Sequence, residues 1–323
     1  MRISKLFVAA FLSLGALCGP VAAQQDWPNR PIKIVWPFPP GGSDGVVRLL
    51  AERLTHALGQ AVVVDPKGGA GGNIGAEQVA RSPADGYTLL MGTNGALAIN
   101  SSLYKSMRFD PQKDFTPISG YVSAPQVLFA NPAVPANTLG ELVALSKAKP
   151  ESLTYASVGT GSASHLTMEL LKSLTGAQIM HVPYKGAGPA IADVIGGQVS
   201  MMTVIAGSAL PHVKAGNVKA IAVTSAKPSS LVPGVQTMAE AGVAGMEARA
   251  WLALVAPAGT PRPIIERLNA EVGRFLQDPG TKDRLAAMGF EPWPTRVEEL
   301  GSLMRAERDM WSKIIESTGA RAD

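Results

Sequence analysis

One unit recurs along this chain and restricts what it can fold into: a short apolar strand, a loop rich in glycine and hydroxyl residues, then a helix. Residues 31–36 read as a strand and 37–44 as a loop. From 46 to 58, apolar side chains at Val47, Leu50, Leu54 and Leu58 mark one helical face, stopped by Gly59. The unit repeats with a strand at 61–64, a loop at 66–73 and a helix at 74–80. A third strand, 87–91, runs into Gly92-Thr93-Asn94-Gly95. A second series starts at 126–130. Thr138 and Glu141 have capping-box spacing and open a helix to Lys147. Strand 153–157, loop 158–164 and helix 165–174 follow. Next come strand 179–182, loop 183–188, helix 189–195, and strands 199–204, 219–223 and 251–256. The chain closes with helices at 263–276 and 281–288 and a third capped by Thr295 and Glu298.

Alternating strands and helices predict an α/β fold. The strands are continuously apolar, which fits mostly parallel sheets covered on both faces. A length of 323 residues suggests about two domains. Two series of units predict two lobes, residues 24–125 plus 226–323 and residues 126–225, joined by strands crossing near 125 and 225. A disordered chain is excluded by 46% hydrophobic against 17% charged residues. The formal charge of +4 is spread without basic runs. That argues against nucleic-acid binding and for a weak attraction to small anions.

The first 23 residues read as a leader, not as part of the fold. Arg2 and Lys5 precede a run of 12 weakly polar-to-apolar residues, Leu6 to Leu17, and Val21 and Ala23 are the small residues of a secretory cleavage site. The run falls short of the roughly 18 residues that span a bilayer. A membrane anchor or a buried first helix is the alternative. Cleavage after Ala23 would lower the charge to +4 − 2 = +2 and remove Cys18, the single cysteine. Thiol chemistry and Cys-based metal sites would then be absent. A lipid-modified Cys18 is the rival reading, though Leu17 is bulky for the position before it.

Ligands of open α/β sheets sit at the carboxyl ends of strands, where all these loops lie. In the loop Pro39-Pro40-Gly41-Gly42-Ser43-Asp44, glycines permit close backbone approach and a helix start favours an anion. Asp44 reads as the helix cap. The loop Ser157-Val158-Gly159-Thr160-Gly161-Ser162-Ala163-Ser164-His165 offers the same chemistry in the second series. One such loop is an ordinary strand–helix turn, whereas two hydroxyl-rich loops in opposite halves point to an anion held between them. The loop ending at Asn73 and the turn Thr93-Asn94 are candidate walls. His165 is a candidate donor, helix cap or surface residue, and Lys185 a candidate carboxylate partner or an exposed lysine. Trp36 and Trp251 are expected in the core.

Sharper motifs fail. Gly41-x-Ser43-x-Gly45 matches a nucleophile elbow, so a secreted hydrolase using Ser43 is one alternative function. No earlier strand supplies its oxyanion loop, however, and no late histidine completes the order. Gly69-x-Gly71 has the wrong spacing for dinucleotide binding. Four scattered histidines form no metal pair, and no cofactor is expected.

The chain resembles the Bug family of periplasmic receptors, the solute-binding components of tripartite tricarboxylate transporters. The resemblance is carried in order by Trp27-Pro28-x-x-Pro31-Ile32, Pro37-Phe38-Pro39-Pro40-Gly41-Gly42-Ser43, Gly69-Ala70-Gly71-Gly72-Asn73-Ile74-Gly75 and Pro83-x-Asp85-Gly86-Tyr87-Thr88-Leu89-Leu90. It continues through Tyr155-Ala156-Ser157, Gly159-x-Gly161-Ser162-x-x-His165-Leu166, His181-Val182-Pro183-Tyr184-Lys185-Gly186, Gly196-Gly197-Gln198-Val199, Ala222-Val223-Thr224-Ser225 and Ala256-Pro257-Ala258-Gly259-Thr260-Pro261. It implies a two-lobed periplasmic-binding-protein fold that closes on a small carboxylate and delivers it to a membrane permease, without catalysis. It also implies that the 38–44 and 157–165 loops grip carboxylates and that Thr93 and Asn94 add polar contacts. A monomer is expected; a ligand-sensing receptor for a signalling partner is the other alternative. Two departures stand out. The Gly-Gly-Ser loop is one residue short before Asp44. Val204 and Ile205 stand where the family often has Asp or Asn. Losing an acid there argues against an amino-acid ligand and for an aromatic or otherwise apolar-bodied carboxylate, including a dicarboxylate.

Overall fold

The computed structural model describes residues 27–40, 44–150, 152–160, 162–184, 186–246 and 248–322. The expected leader, Cys18, Gly41, Gly42, Ser43, Gly161 and Lys185 lie outside the described residues.

The first half of the chain forms β1 (Ile32–Trp36), α1 (Asp44–Leu58), β2 (Val62–Pro66), α2 (Asn73–Ala80) and β3 (Thr88–Thr93). A π-helical turn (Gly95–Ile99) leads into the short α3 (Asn100–Leu103) and then the long β4 (Phe115–Ala130). The second half adds α4 (Leu139–Ala148), β5 (Thr154–Ser157), α5 (Ala163–Thr175), β6 (Met180–Pro183), α6 (Ala187–Ile195), β7 (Met201–Ile205), α7 (Ala206–Lys214) and β8 (Lys219–Val223). The chain returns along β9 (Arg249–Pro257) and ends with α8 (Arg262–Gln277), α9 (Pro279–Ala287), β10 (Glu291–Pro292) and α10 (Val297–Thr318).

The apolar face of α1 is buried as its spacing predicts, with Val47, Leu50 and Leu54 inaccessible, and Gly59 ends the helix at φ +69°. Thr138 Oγ1 accepts from the Glu141 N–H at 3.2 Å, and the Glu141 carboxylate accepts from the Thr138 N–H at 3.3 Å, completing the expected box. Trp36 and Trp251 are core residues. Two caps differ from expectation. Asp44 is the first residue of α1 and its carboxylate pairs with Arg48 one turn on, at 3.1 Å. At α10 the cap position is Arg296, whose N–H donates to Glu299 Oε2 at 2.9 Å. The Thr295 hydroxyl is instead drawn to β4, where it accepts from the Gly120 N–H at 2.8 Å.

The sheet is mixed, not mostly parallel. β1 pairs in parallel with β2 and β3, and β5 with β6 and β7. The pairings of β4 and β9 are antiparallel because these strands carry the chain out of one half and back. β4 changes partners along its length: residues 115–125 pair with β9, and residues 126–130 pair with β7 and β8. One hydroxyl ties the crossing together. Thr224 Oγ1 accepts from the Gln126 N–H at 3.0 Å and donates to the Ala248 carbonyl at 2.6 Å. Each half has its own core. Leu50, Leu54, Tyr121 and Leu254 belong to the first; Tyr155, Leu166, Met201 and Leu128 to the second. Met238, Met246 and Ala248 from the return segment, and Trp311 and Ile315 from α10, pack with the second.

Candidate ligand-binding cleft

A cavity of about 410 Å³ opens where β1, β3 and β5 end. From the first half, Phe38 follows β1 and leans on Trp36, with ring centroids 5.1 Å apart. Thr93 ends β3, and Asn94 and Gly95 follow it. The Asn94 amide donates to the Arg249 carbonyl at 3.3 Å, so this turn is anchored to a crossing strand. From the second half, Val158, Gly159, Thr160, Ser162 and Ala163 form the wall between β5 and α5.

The second wall is pre-shaped by its own hydroxyls. Ser157 Oγ accepts from the Gly159 N–H at 3.2 Å, and Ser164 Oγ accepts from the Val158 N–H at 3.0 Å. Ser162 Oγ donates to the Gly159 carbonyl at 2.6 Å and accepts from the His165 N–H at 3.3 Å, capping α5. The start of α5 thus lines the cavity, and the positive end of its helix dipole favours negative charge there.

His165 lies inside the second half. It is buried and stacks on His181 at 4.1 Å between centroids, and His181 stacks on Tyr155 at 4.8 Å. Below the stack, the Tyr155 hydroxyl donates to Glu169 at 2.6 Å and Lys172 donates to the same oxygen at 2.7 Å. Burial, reinforced by the neighbouring His165, pushes the His181 ring down to about 4, so it is neutral near pH 7. Its Nε2 shares a 2.7 Å hydrogen bond with Ser157 Oγ, linking the stack to the cavity loop.

Of the remaining expected residues, Asn73, Val204 and Ile205 are not among those that line the cavity. Asn73 begins α2, and its Oδ1 accepts from Asn100 Nδ2 at 2.7 Å, one bond behind the wall. Val204 is buried in the second half, while Ile205 packs against cores of both halves beneath the crossing. Gly71, from the loop ending at Asn73, lines the cavity as expected, and five lining residues were not anticipated: Ile99, Asn100, Leu103, Tyr104 and Ala322. The polar run Asn100-Ser101-Ser102 after an apolar turn was an available signal for Asn100. Ala322 has no local signal, since it arrives by long-range packing. Among the described residues, no group of three or more His, Cys, Asp or Glu could hold a metal, and no helix is long and apolar enough to cross a membrane.

The family model described as tripartite tricarboxylate transporter family receptor, TctC, matches residues 46–320. The chain belongs to this receptor family. BugT of Bordetella pertussis is 38% identical over 325 residues, covering 99% of both chains. Among solved structures, the R. palustris protein Rpa4515 with adipate is 36% identical, with a TM-score of 0.79, over 92% of this chain and 99% of that one. MatC from Rhodopseudomonas palustris with bound malate is 33% identical, with a TM-score of 0.75, over 89% and 99%. The periplasmic binding protein BugD gives 35% and 0.75, over 92% and 100%. These matches establish a mixed α/β, periplasmic-binding-protein-like fold for the chain.

Proposed function

We propose that this TctC receptor is exported to the periplasm by residues 1–23, captures a small carboxylate between its lobes as a monomer, and delivers it to a tripartite tricarboxylate transporter permease. One observation carries the reading. Hydroxyls and amides from opposite halves, Thr93 and Asn94 against Thr160 and Ser162, line one cavity. The adipate- and malate-bound relatives support a carboxylate as the ligand. The role is capture and release, not catalysis. The ligand set comprises the 38–44 loop (Phe38, Gly41, Gly42, Ser43, Asp44), Thr93 and Asn94, and the 157–165 loop (Ser157, Gly159, Thr160, Gly161, Ser162). Asn73 and His165 act from behind the wall, and Lys185 is a further carboxylate partner. Val204 and Ile205 supply apolar character where an acid would hold an ammonium group, so the ligand is an apolar-bodied acid, aromatic or dicarboxylic. The lobes divide on β4 at Pro125–Gln126. Because Met238, Met246 and Ala248 pack with the second core, we place the return at Ala248–Arg249 instead of near 225.

A thermal-shift panel of aliphatic dicarboxylates, aromatic acids and acidic amino acids tests this. An acid present at ~100 times its Kd should add about 2.7 kcal/mol of stability. Apolar-bodied acids are expected to raise the melting temperature. Strong stabilisation by aspartate or glutamate with none by the others would overturn the ligand class, and no shift with any acid would overturn the function.

A further inference from the structure

The polar half of the cavity suits a carboxylate, but its far wall has a different character. Ile99 comes from the π-helical turn, Leu103 from α3, Tyr104 is the extended residue after it, and Ala322 comes from the segment after α10. Main-chain contacts hold that segment in place. Gly319 ends α10 in the left-handed conformation, φ +67°, and Ala320 is buried in the second core. The Ala322 N–H then donates to the Leu103 carbonyl at 3.1 Å, and Ala322 pairs with Tyr104 in a single parallel bridge. Burial raises the Tyr104 phenol above its ordinary value, as expected for a shielded wall. A wall of three aliphatic side chains and one phenol ring, fixed through backbone bonds, selects by shape, because it offers a ligand much contact area and few polar partners.

We propose that Leu103, Tyr104 and Ala322 form an apolar subsite that sets the length of hydrocarbon body the receptor accepts, with the segment after α10 as its end wall. The inference rests on the carboxylate reading above. An acid gripped at the hydroxyl-rich end extends its body towards Ala322. Each methylene seated against this wall strengthens binding about fourfold until the chain meets Ala322, after which affinity falls.

The test is calorimetry with the linear monocarboxylates from butanoate to octanoate, whose methyl end meets the wall, on the wild-type chain and on Ala322→Leu and Ala322→Phe. The smaller substitution carries the test if the larger perturbs folding, which melting curves show. Both variants should move the best-bound length towards shorter acids. The longest acid bound by the wild type should weaken about tenfold or more in Ala322→Phe, the scale of one or two lost methylenes plus overpacking. Butanoate should change by less than about twofold, because it does not reach the wall, and failure of every monocarboxylate to bind a receptor that binds dicarboxylates would overturn the subsite. Equal weakening at every length, or an unmoved optimum in both variants, would overturn the subsite and leave the carboxylate reading standing. If no acid in the series or the thermal-shift panel binds the wild type, both fall.

Discussion

Gly207→Ala is expected to weaken carboxylate binding about tenfold or more while leaving the melting temperature unchanged or raised. Gly207 is the second residue of α7, directly beyond the carboxyl end of β7, on the cleft side of the second half. A Cβ there would lie 3.0 Å from the Met288 carbonyl oxygen and 3.2 Å from Gly289 Cα, both in the segment joining α9 to β10 in the first half. The opposing glycine is tighter: a Cβ on Gly289 would sit 2.4 Å from Gly207 Cα. Two backbones therefore meet beside the crossing, and a methyl group on Gly207 would push them apart by a few tenths of an ångström. Gly289 is a poor probe, because its φ of +81° would strain any substitute. Gly207 has no such strain, and alanine is favoured over glycine in a helix by up to about 1 kcal/mol. Any loss of affinity would then come from propping the halves apart, and a closure penalty of about 1.4 kcal/mol is tenfold in Kd. Calorimetry with the acid giving the largest thermal shift reads this out; an unaltered Kd would show that the glycine contact plays no part in closure.

The second large effect concerns the hydroxyls on the two walls. Thr160→Val keeps the side-chain shape and removes one hydroxyl from an exposed position in the cavity. A hydrogen bond to a charged group contributes about 1.5–3 kcal/mol, so affinity should fall by about tenfold to a hundredfold with the melting temperature of the free protein unchanged. Thr93→Val tests the opposite wall. Its hydroxyl also accepts from the Ala96 N–H at a long 3.4 Å, so a small loss of stability should accompany the loss of affinity. Both variants must weaken binding if the acid is held from both sides. Loss in one alone would mean that a single half binds the ligand and that closure is not driven by its carboxylate.

Much of the fold was legible because its signals are local. The face of α1, the Thr138 box and the loops after β1, β3 and β5 all follow from spacing within a few residues. The hardest element to read was β4. Pro117, Gly120 and Pro125 look like breakers, yet the register shifts between Pro117 and Ser119 and between Gly120 and Val122 absorb the first two. Pro125 falls where the strand exchanges partners, so its missing N–H costs little there. Gly120 is required by packing, since a Cβ would lie 2.5 Å from the Trp293 carbonyl oxygen. α7 was hidden by Pro211 within it. In the cleft, the loop residues were readable from composition. The interior position of His165 was not, because its stacking partners Tyr155 and His181 come from neighbouring strands. Nor was Ala322, which reaches the cavity only after the 22 residues of α10 have crossed the molecule.

The central claim is capture by closure of two halves about the crossing at Pro125–Gln126 and Ala248–Arg249. Small-angle X-ray scattering of the full chain, with and without a saturating acid identified by thermal shift, tests it most directly. The account predicts a smaller radius of gyration in the bound state, with the change abolished or reduced in Gly207→Ala. An unchanged radius at proven saturation of the wild-type receptor would contradict it.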